Sequence, residues 1–136
     1  MAEEHERRKG QRIFHTVWGE LAYVCRRIHH WLYGRGDKTS AARYLNRLQR
    51  LLKALPENDR AILREEGLAL FHELRGETSD AIIHRQREIQ LMDFLHKEAE
   101  TGGYEDSTKA FMLSGREITV LQERKAILRA LEEEGQ

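Results

Sequence analysis

The feature that most constrains the fold is a pair of amphipathic segments between Asn58 and Leu95, separated by Arg75-Gly76-Glu77. On both sides of this break, apolar residues recur at intervals of three and four, the spacing of one helix face. Glycine readily adopts the left-handed conformation that ends a helix. The pattern therefore predicts two helices joined by a short turn. The apolar positions are Leu63, Leu68, Leu70, Phe71 and Leu74, then Ala81, Ile82, Ile89, Met92 and Leu95.

A similar arrangement recurs along the chain. Gly36, Gly76 and Gly115 are separated by 40 and 39 residues, and a small or aliphatic residue follows five positions after each glycine. Recurrence at this interval indicates a repeat architecture in which each helical hairpin buries its apolar face on the next. We therefore predict an all-α protein with a single domain. Its parts are a charged, flexible lead-in at 1–10, a helical-repeat domain at 11–131 with units at about 11–56, 57–100 and 105–131, and a frayed acidic tail at 132–136.

The central unit carries a family resemblance. The pattern Leu68-Ala69, His72, Gly76-Glu77 and Ala81-Ile82 resembles the tetratricopeptide repeat over residues 57–92. The resemblance implies hairpins stacked in a right-handed array, with a groove that binds peptides or partner helices. The chain departs from the family in three respects. Its first helix is too long, its repeat interval exceeds the usual length of about 34 residues, and Arg85 replaces the large aromatic residue of the family. An irregular five- or six-helix bundle is the alternative.

Individual helix boundaries and core residues also follow from the pattern. A long first helix is expected to stop at the Gly34–Asp37 segment, and Thr39 or Ser40 is expected to cap a second helix through Leu55. Aromatic side chains on the apolar faces are expected in the core. These are Trp18, Trp31, Phe71 and Phe94.

Composition excludes several classes of protein. With 136 residues, of which 40% are hydrophobic and 34% charged, the chain suits one modest core with solvated helix faces. It holds no apolar run near the roughly 20 residues that span a bilayer, so no membrane association is expected. A lone cysteine, Cys25, gives no disulfide framework and suits a reducing compartment. We predict a cytoplasmic protein.

The balanced net charge hides an uneven distribution. Residues 1–56 carry 12 Lys and Arg against 5 Asp and Glu, whereas residues 57–136 carry 11 against 18. A chain with one basic and one acidic part can bind a polyanion, or can pair head to tail with a second copy.

Candidate binding residues lie in the basic part. Arg43, Arg47 and Arg50 recur at four and three residues and share one helix face, and Arg26 and Arg27 extend the basic character on the preceding helix. A row of guanidinium groups matches phosphate or carboxylate geometry, and Tyr44 beside it could stack on bases. The alternative is an ordinary solvated helix face.

The sequence carries no catalytic signature. A hairpin about Gly76 brings His72 and His84 within a few helical turns, but neither an HExxH motif nor a Glu-x-x-His pair accompanies them. They are interpreted as packed or surface histidines, and no metal or cofactor is expected. Cys25 lies on an apolar stripe and is interpreted as a small buried hydrophobe. No glycine loop of the phosphate-binding kind follows a strand pattern, so we predict that the protein is not an enzyme.

The function predicted from these features is that of a non-catalytic, protein-binding adaptor or small subunit of a larger assembly. Its partner would be another protein or a second copy in a homo-oligomer. The alternative is a nucleic-acid-binding helical subunit of a ribonucleoprotein or defence complex, acting through the face of Arg43, Arg47 and Arg50.

Overall fold

The chain is helical throughout the part that its computed structural model describes, residues 17–56, 61–102 and 115–135. No strand occurs among these residues, so the all-α prediction is confirmed. None of the described helices combines the length and the apolar character that a membrane span requires. The stacking of hairpins in a tetratricopeptide-like array stays a prediction.

Two compact units divide the chain, Met1–Asp59 and Arg60–Gln136. The division lies near Pro56, where proline prevents a helix from continuing. The flexible lead-in predicted at 1–10 lies outside the described residues, and the single domain predicted at 11–131 stays a prediction. At the other end the last helix continues through Glu134, into the segment for which fraying was expected.

The described residues of unit 1, 17–56, form three α-helices and a π-helical turn. Helix α1 covers residues 17–29 and runs directly into the π-helix His30–Gly34. Gly36 follows with a φ of 63°, and this left-handed conformation ends the helix as predicted. Helices α2 (Lys38–Ala42) and α3 (Leu45–Ala54) complete the unit. Its buried apolar residues are Trp18, Leu21, Val24, Cys25, Ile28, Ala41, Leu48, Leu51, Leu52 and Leu55.

The cap of α2 differs from the prediction of Thr39 or Ser40. Asp37 is the N-cap, because its Oδ1 accepts the backbone N–H of Ser40 at 3.0 Å and its Oδ2 accepts the Ser40 hydroxyl at 2.7 Å. The helix is also interrupted at Arg43 and Tyr44 instead of continuing to Leu55. An aspartate one residue beyond the glycine turn satisfies the first exposed amide donors directly.

This cap makes the stability of unit 1 depend on pH. The two hydrogen bonds from Ser40 lower the pKa of the Asp37 carboxyl below its ordinary value. A carboxyl with a lowered pKa in the folded state stabilises the protein above its unfolded-state pKa, about 3.9, and loses that contribution as the pH falls through the folded value. Below about pH 4, the wild-type melting temperature should therefore fall relative to that of Asp37→Asn, which keeps an acceptor but does not titrate. Circular dichroism melts across that pH range measure the difference, and a constant difference would contradict the assignment.

Unit 2 contains α4 (Ala61–Leu74), α5 (Thr78–Thr101) and α6 (Gly115–Glu134). The predicted hairpin is present, with Gly76 at a φ of 76° between α4 and α5. The amide of Glu77 donates to the His72 carbonyl at 2.8 Å and that of Gly76 to the Glu73 carbonyl at 3.1 Å, which is a Schellman turn. Helix α5 packs against both α4 and α6. A buried cluster joins Ile89, Met92 and Leu121, with Ile62, Val120 and Leu128 packed beside it.

The aromatic residues only partly follow the core prediction. Trp18 is buried, Trp31 and Phe71 are half-buried, and Phe94 is 59% exposed. Phe94 lies two residues after the buried Met92, and two residues correspond to about 200° around a helix. The core prediction for Phe94 is therefore wrong, because its side chain belongs to the face of α5 opposite the buried one.

A buried ionic network occupies the interior of unit 2. Arg85 and Glu88 are 0% and 1% exposed, and Arg85 Nη1 donates to Glu88 Oε1 at 2.7 Å. Arg124 of α6 lies with its Nε 3.5 Å from Glu88 Oε2 and donates from Nη2 to Glu66 Oε1 of α4 at 3.0 Å. Burial raises the pKa of Glu88, opposed by the charge of Arg85. Charges of alternating sign thus connect α4, α5 and α6.

Candidate binding surface and histidine–carboxylate cluster

The predicted arginine row lies on and beside α3, but its members are not equivalent. Arg43 and Arg50 are exposed. Arg47 forms an ion pair with Glu20 of α1, and its Nε donates to Glu20 Oε1 at 2.8 Å. The structure therefore leaves Arg47 as a link between α1 and α3. Sequence reasoning missed Glu20 because it lies 27 residues away from Arg47.

Arg27 makes a second link, from α1 to Tyr44, the residue that precedes α3. Its Nε donates to the Tyr44 hydroxyl at 3.2 Å, and its Cζ lies 6.0 Å from the centroid of the Trp31 ring. The hydrogen bond lowers the pKa of Tyr44, because the guanidinium stabilises the phenolate form. The same bond raises the pKa of Arg27. Tyr44 therefore helps to hold Arg27 in place, and its stacking on bases stays a prediction.

Exposed tyrosines border these arginines. Tyr23 is 44% exposed and lies beside Arg47, whose Cζ is 5.8 Å from the ring centroid. Arg26 is exposed three residues after Tyr23, so the two share a face of α1. We call this surface of unit 1 the basic–aromatic face. It consists of Tyr23, Arg26, Arg27, Trp31, Arg43, Tyr44, Arg47 and Arg50.

The basic–aromatic face belongs to a strongly positive segment. Residues 17–56 contain eight Arg and Lys but only two acidic residues, Glu20 and Asp37. Glu20 is paired with Arg47, and Asp37 caps α2. An excess of six positive charges therefore remains on the described part of unit 1. The positive electrostatic potential that these charges create favours an anionic partner.

A second group of polar side chains lies at the α4–α5 turn of unit 2. The rings of His72 and His84 are parallel within 2°, with centroids 5.3 Å apart. His84 Nδ1 lies 2.6 Å from Glu65 Oε2, and His72 Nδ1 lies 3.1 Å from Glu77 Oε1. The expectation that the hairpin brings these histidines close is confirmed. Each imidazole is held at Nδ1 by a carboxylate.

Asp80 completes this histidine–carboxylate cluster of Glu65, His72, Glu77, Asp80 and His84. One ligand atom from each of His72, Glu77 and Asp80 lies within 4.8 Å of the others. Sequence reasoning considered the histidines but missed the three carboxylates. The available signal was spacing, because Asp80 and His84 are four residues apart and share a face of α5.

Comparison with known proteins found no matching family model, and no similar protein was found among curated sequences or solved structures.

Proposed function

We propose that this protein is a non-catalytic binding module that holds an acidic polypeptide segment on the basic–aromatic face of unit 1. The observation that carries the proposal is the excess of six positive charges on residues 17–56, where both acidic side chains are already engaged within the unit. An anionic segment would supply the missing counter-charges. Steering by such a field increases association rates.

The residue types of this face support a protein partner. Arginine, tyrosine and tryptophan are the residues that most often dominate the energy of protein interfaces. Arg27 and Arg47 are held by Tyr44 and Glu20, so their side chains are ordered before a partner arrives. Preordering reduces the entropy that binding costs. Arginine also binds carboxylates in a bidentate geometry, with two parallel N–H···O hydrogen bonds.

A second candidate function is binding of single-stranded nucleic acid. It is favoured by the exposure of Tyr23, next to Arg47, and of Tyr33 at 39%. Aromatic rings beside cationic side chains form the platforms on which bases stack. Both functions use the same cations, so they differ in the chemistry of the partner and in the salt dependence of binding.

The resemblance to tetratricopeptide repeats in 57–92 is consistent with a binding module built from helical hairpins. The residues from 57 onward carry an excess of seven acidic charges, so a second copy of the chain is one possible acidic partner. A cytoplasmic location is proposed from the single cysteine, Cys25, which is buried.

A direct binding comparison tests the proposal. Fluorescence anisotropy is measured with a labelled glutamate-rich peptide that contains aromatic residues, and with a labelled single-stranded RNA of mixed sequence. We expect the peptide to bind more tightly than the RNA at about 150 mM salt. Salt weakens the ionic contacts of both ligands, and steeply those to RNA phosphates, whereas the apolar contacts of the peptide's aromatic residues are retained. A scrambled peptide with its acidic residues replaced by glutamine is the control.

Two outcomes oppose the proposal. Tighter binding of RNA, with a logarithmic salt slope near the number of phosphates contacted, would favour the nucleic-acid function. Equal binding of the acidic and glutamine peptides would show that charge does not select the partner. Sedimentation at several protein concentrations, run in parallel, reports whether a second copy competes for the same face.

A further inference from the structure

We infer that His72, Glu77 and Asp80 form a binding site for a divalent transition-metal ion such as Zn²⁺, and that His84 positions His72. This site lies in unit 2 and is independent of the proposed function of unit 1. Its three ligand atoms already lie within 4.8 Å of one another. Ligands around a tetrahedral Zn²⁺ lie about 2.0–2.2 Å from the ion. Small side-chain rotations are enough to close the remaining gap, because Asp80 is exposed.

The backbone brings two of these ligands together. In the Schellman turn, the amide of Glu77 donates to the carbonyl of His72 at 2.8 Å. The side chains that leave from these two positions also meet, with His72 Nδ1 3.1 Å from Glu77 Oε1. Asp80 follows Glu77 by three residues, which places it on the same face of α5. The site is therefore built on a rigid helix–turn–helix frame.

The charges of the cluster match a divalent cation. Glu65, Glu77 and Asp80 contribute three negative charges, and Arg75 offsets one, since its Nε lies 3.1 Å from Glu77 Oε1. Carboxylates at the start of α5 also suit the positive end of that helix, so alone they would not indicate a metal. The imidazole of His72, contributed by the end of α4, is the additional group. One imidazole with two carboxylates is a donor set that suits Zn²⁺ and its neighbours in the first transition row.

His84 and Glu65 provide the support that such sites need. A ligand histidine is typically held by neighbouring groups that fix its ring orientation. His84 lies with its ring parallel to that of His72, 5.3 Å away, and is itself fixed by Glu65 at 2.6 Å. This arrangement restricts rotation of the His72 ring. His84 is therefore a positioning residue for the metal ligand.

Cobalt titration tests the site, because Co²⁺ replaces Zn²⁺ and its visible absorption reports the ligand set. With untagged full-length protein, we expect one equivalent of Co²⁺ to bind and one equivalent of Zn²⁺ to displace it. His72→Gln should weaken binding by about 100-fold and Asp80→Asn by at least about 10-fold. His84→Gln should weaken binding by about 10-fold and leave the absorption band of the bound ion in place. An unchanged absorption band in His84→Gln would show that His84 positions His72 and does not itself bind the ion.

The matched control is His96→Gln, on the same helix but outside the cluster, and it should bind Co²⁺ as the wild type does. A double change of His29 and His30 to glutamine in unit 1 excludes that pair as the source of binding. Helix content by circular dichroism checks folding, and Asp80→Asn carries little risk because the residue is exposed. The inference is overturned if the wild type binds no stoichiometric Co²⁺, or if His72→Gln and Asp80→Asn bind it with wild-type affinity.

Discussion

Replacing Arg85 with alanine should destabilise the protein by about 3–5 kcal/mol, the usual cost of removing one partner from a buried ion pair. The side chain of Glu88 is 1% exposed and loses its 2.7 Å partner in this variant. Arg124 remains near Glu88, but its Nε lies 3.5 Å from Glu88 Oε2, and its guanidinium also donates to Glu66. The Glu88 carboxylate must then stay charged with less compensation, or take up a proton. Urea unfolding followed by far-ultraviolet circular dichroism measures the loss.

Two controls isolate the network. Arg87→Ala removes an exposed arginine two residues away and should change stability by no more than about 0.5 kcal/mol. The double change Arg85→Met with Glu88→Leu removes both charges, and it should recover most of the stability lost in Arg85→Ala. Both tryptophans lie in unit 1, so their fluorescence follows that unit separately. If Arg85→Ala costs no more than Arg87→Ala, the network does not stabilise unit 2.

The sequence pattern predicted the helices well where the determinants are local. Apolar spacing at three and four residues depends only on the helix period, so the hairpin about Gly76 appears as expected. The positive φ at Gly36 and Gly76 likewise follows from the absence of a side chain. Gly115, the third glycine of the recurring interval, is the first residue of α6, and the residues just before it lie outside the described part of the chain.

Features that depend on tertiary contacts were not predictable in the same way. Arg85 was recognised as a departure from a resembled family, yet its burial requires Glu88, Arg124 and Glu66 from three helices. The spacing did contain information on burial, since Arg85 and Glu88 follow the buried Ala81 by four and seven residues and so share its face of α5. A charged pair three residues apart on an apolar stripe indicates a buried pair only once the neighbouring helices are placed.

The candidate surface shows the same limit. The spacing of Arg43, Arg47 and Arg50 identified one face, but spacing within a helix carries no information on partners from another helix. Glu20 gives Arg47 an internal partner that the spacing could not reveal, and the partner-binding role of Arg47 stays a prediction. The charge excess of the segment was visible at once, because it depends on composition alone.

Reversing the exposed charges of the basic–aromatic face should abolish binding of an acidic partner. The variant combines Arg26→Glu, Arg43→Glu and Arg50→Glu. It leaves Arg27 and Arg47 unchanged because they connect α1 to Tyr44 and to α3, respectively. A hydrogen bond to a charged group contributes about 1.5–3 kcal/mol, and about 1.4 kcal/mol corresponds to a tenfold change in affinity. Loss of three such contacts should reduce the affinity for the glutamate-rich peptide by roughly 1,000-fold or more. Anisotropy at constant salt measures the change, and circular dichroism checks that helix content is kept.

The matched control applies the same change in net charge to unit 2, at the exposed residues Arg87, Lys97 and Arg129. If binding depended only on overall charge, both triple variants would lose affinity equally. A specific face on unit 1 instead predicts a large loss in the first variant and a change of no more than a few-fold in the second, because salt screens exposed charges that make no direct contact with the peptide. Wild-type binding by the first variant would exclude this surface for either an acidic polypeptide or a nucleic acid, since both require the same cations.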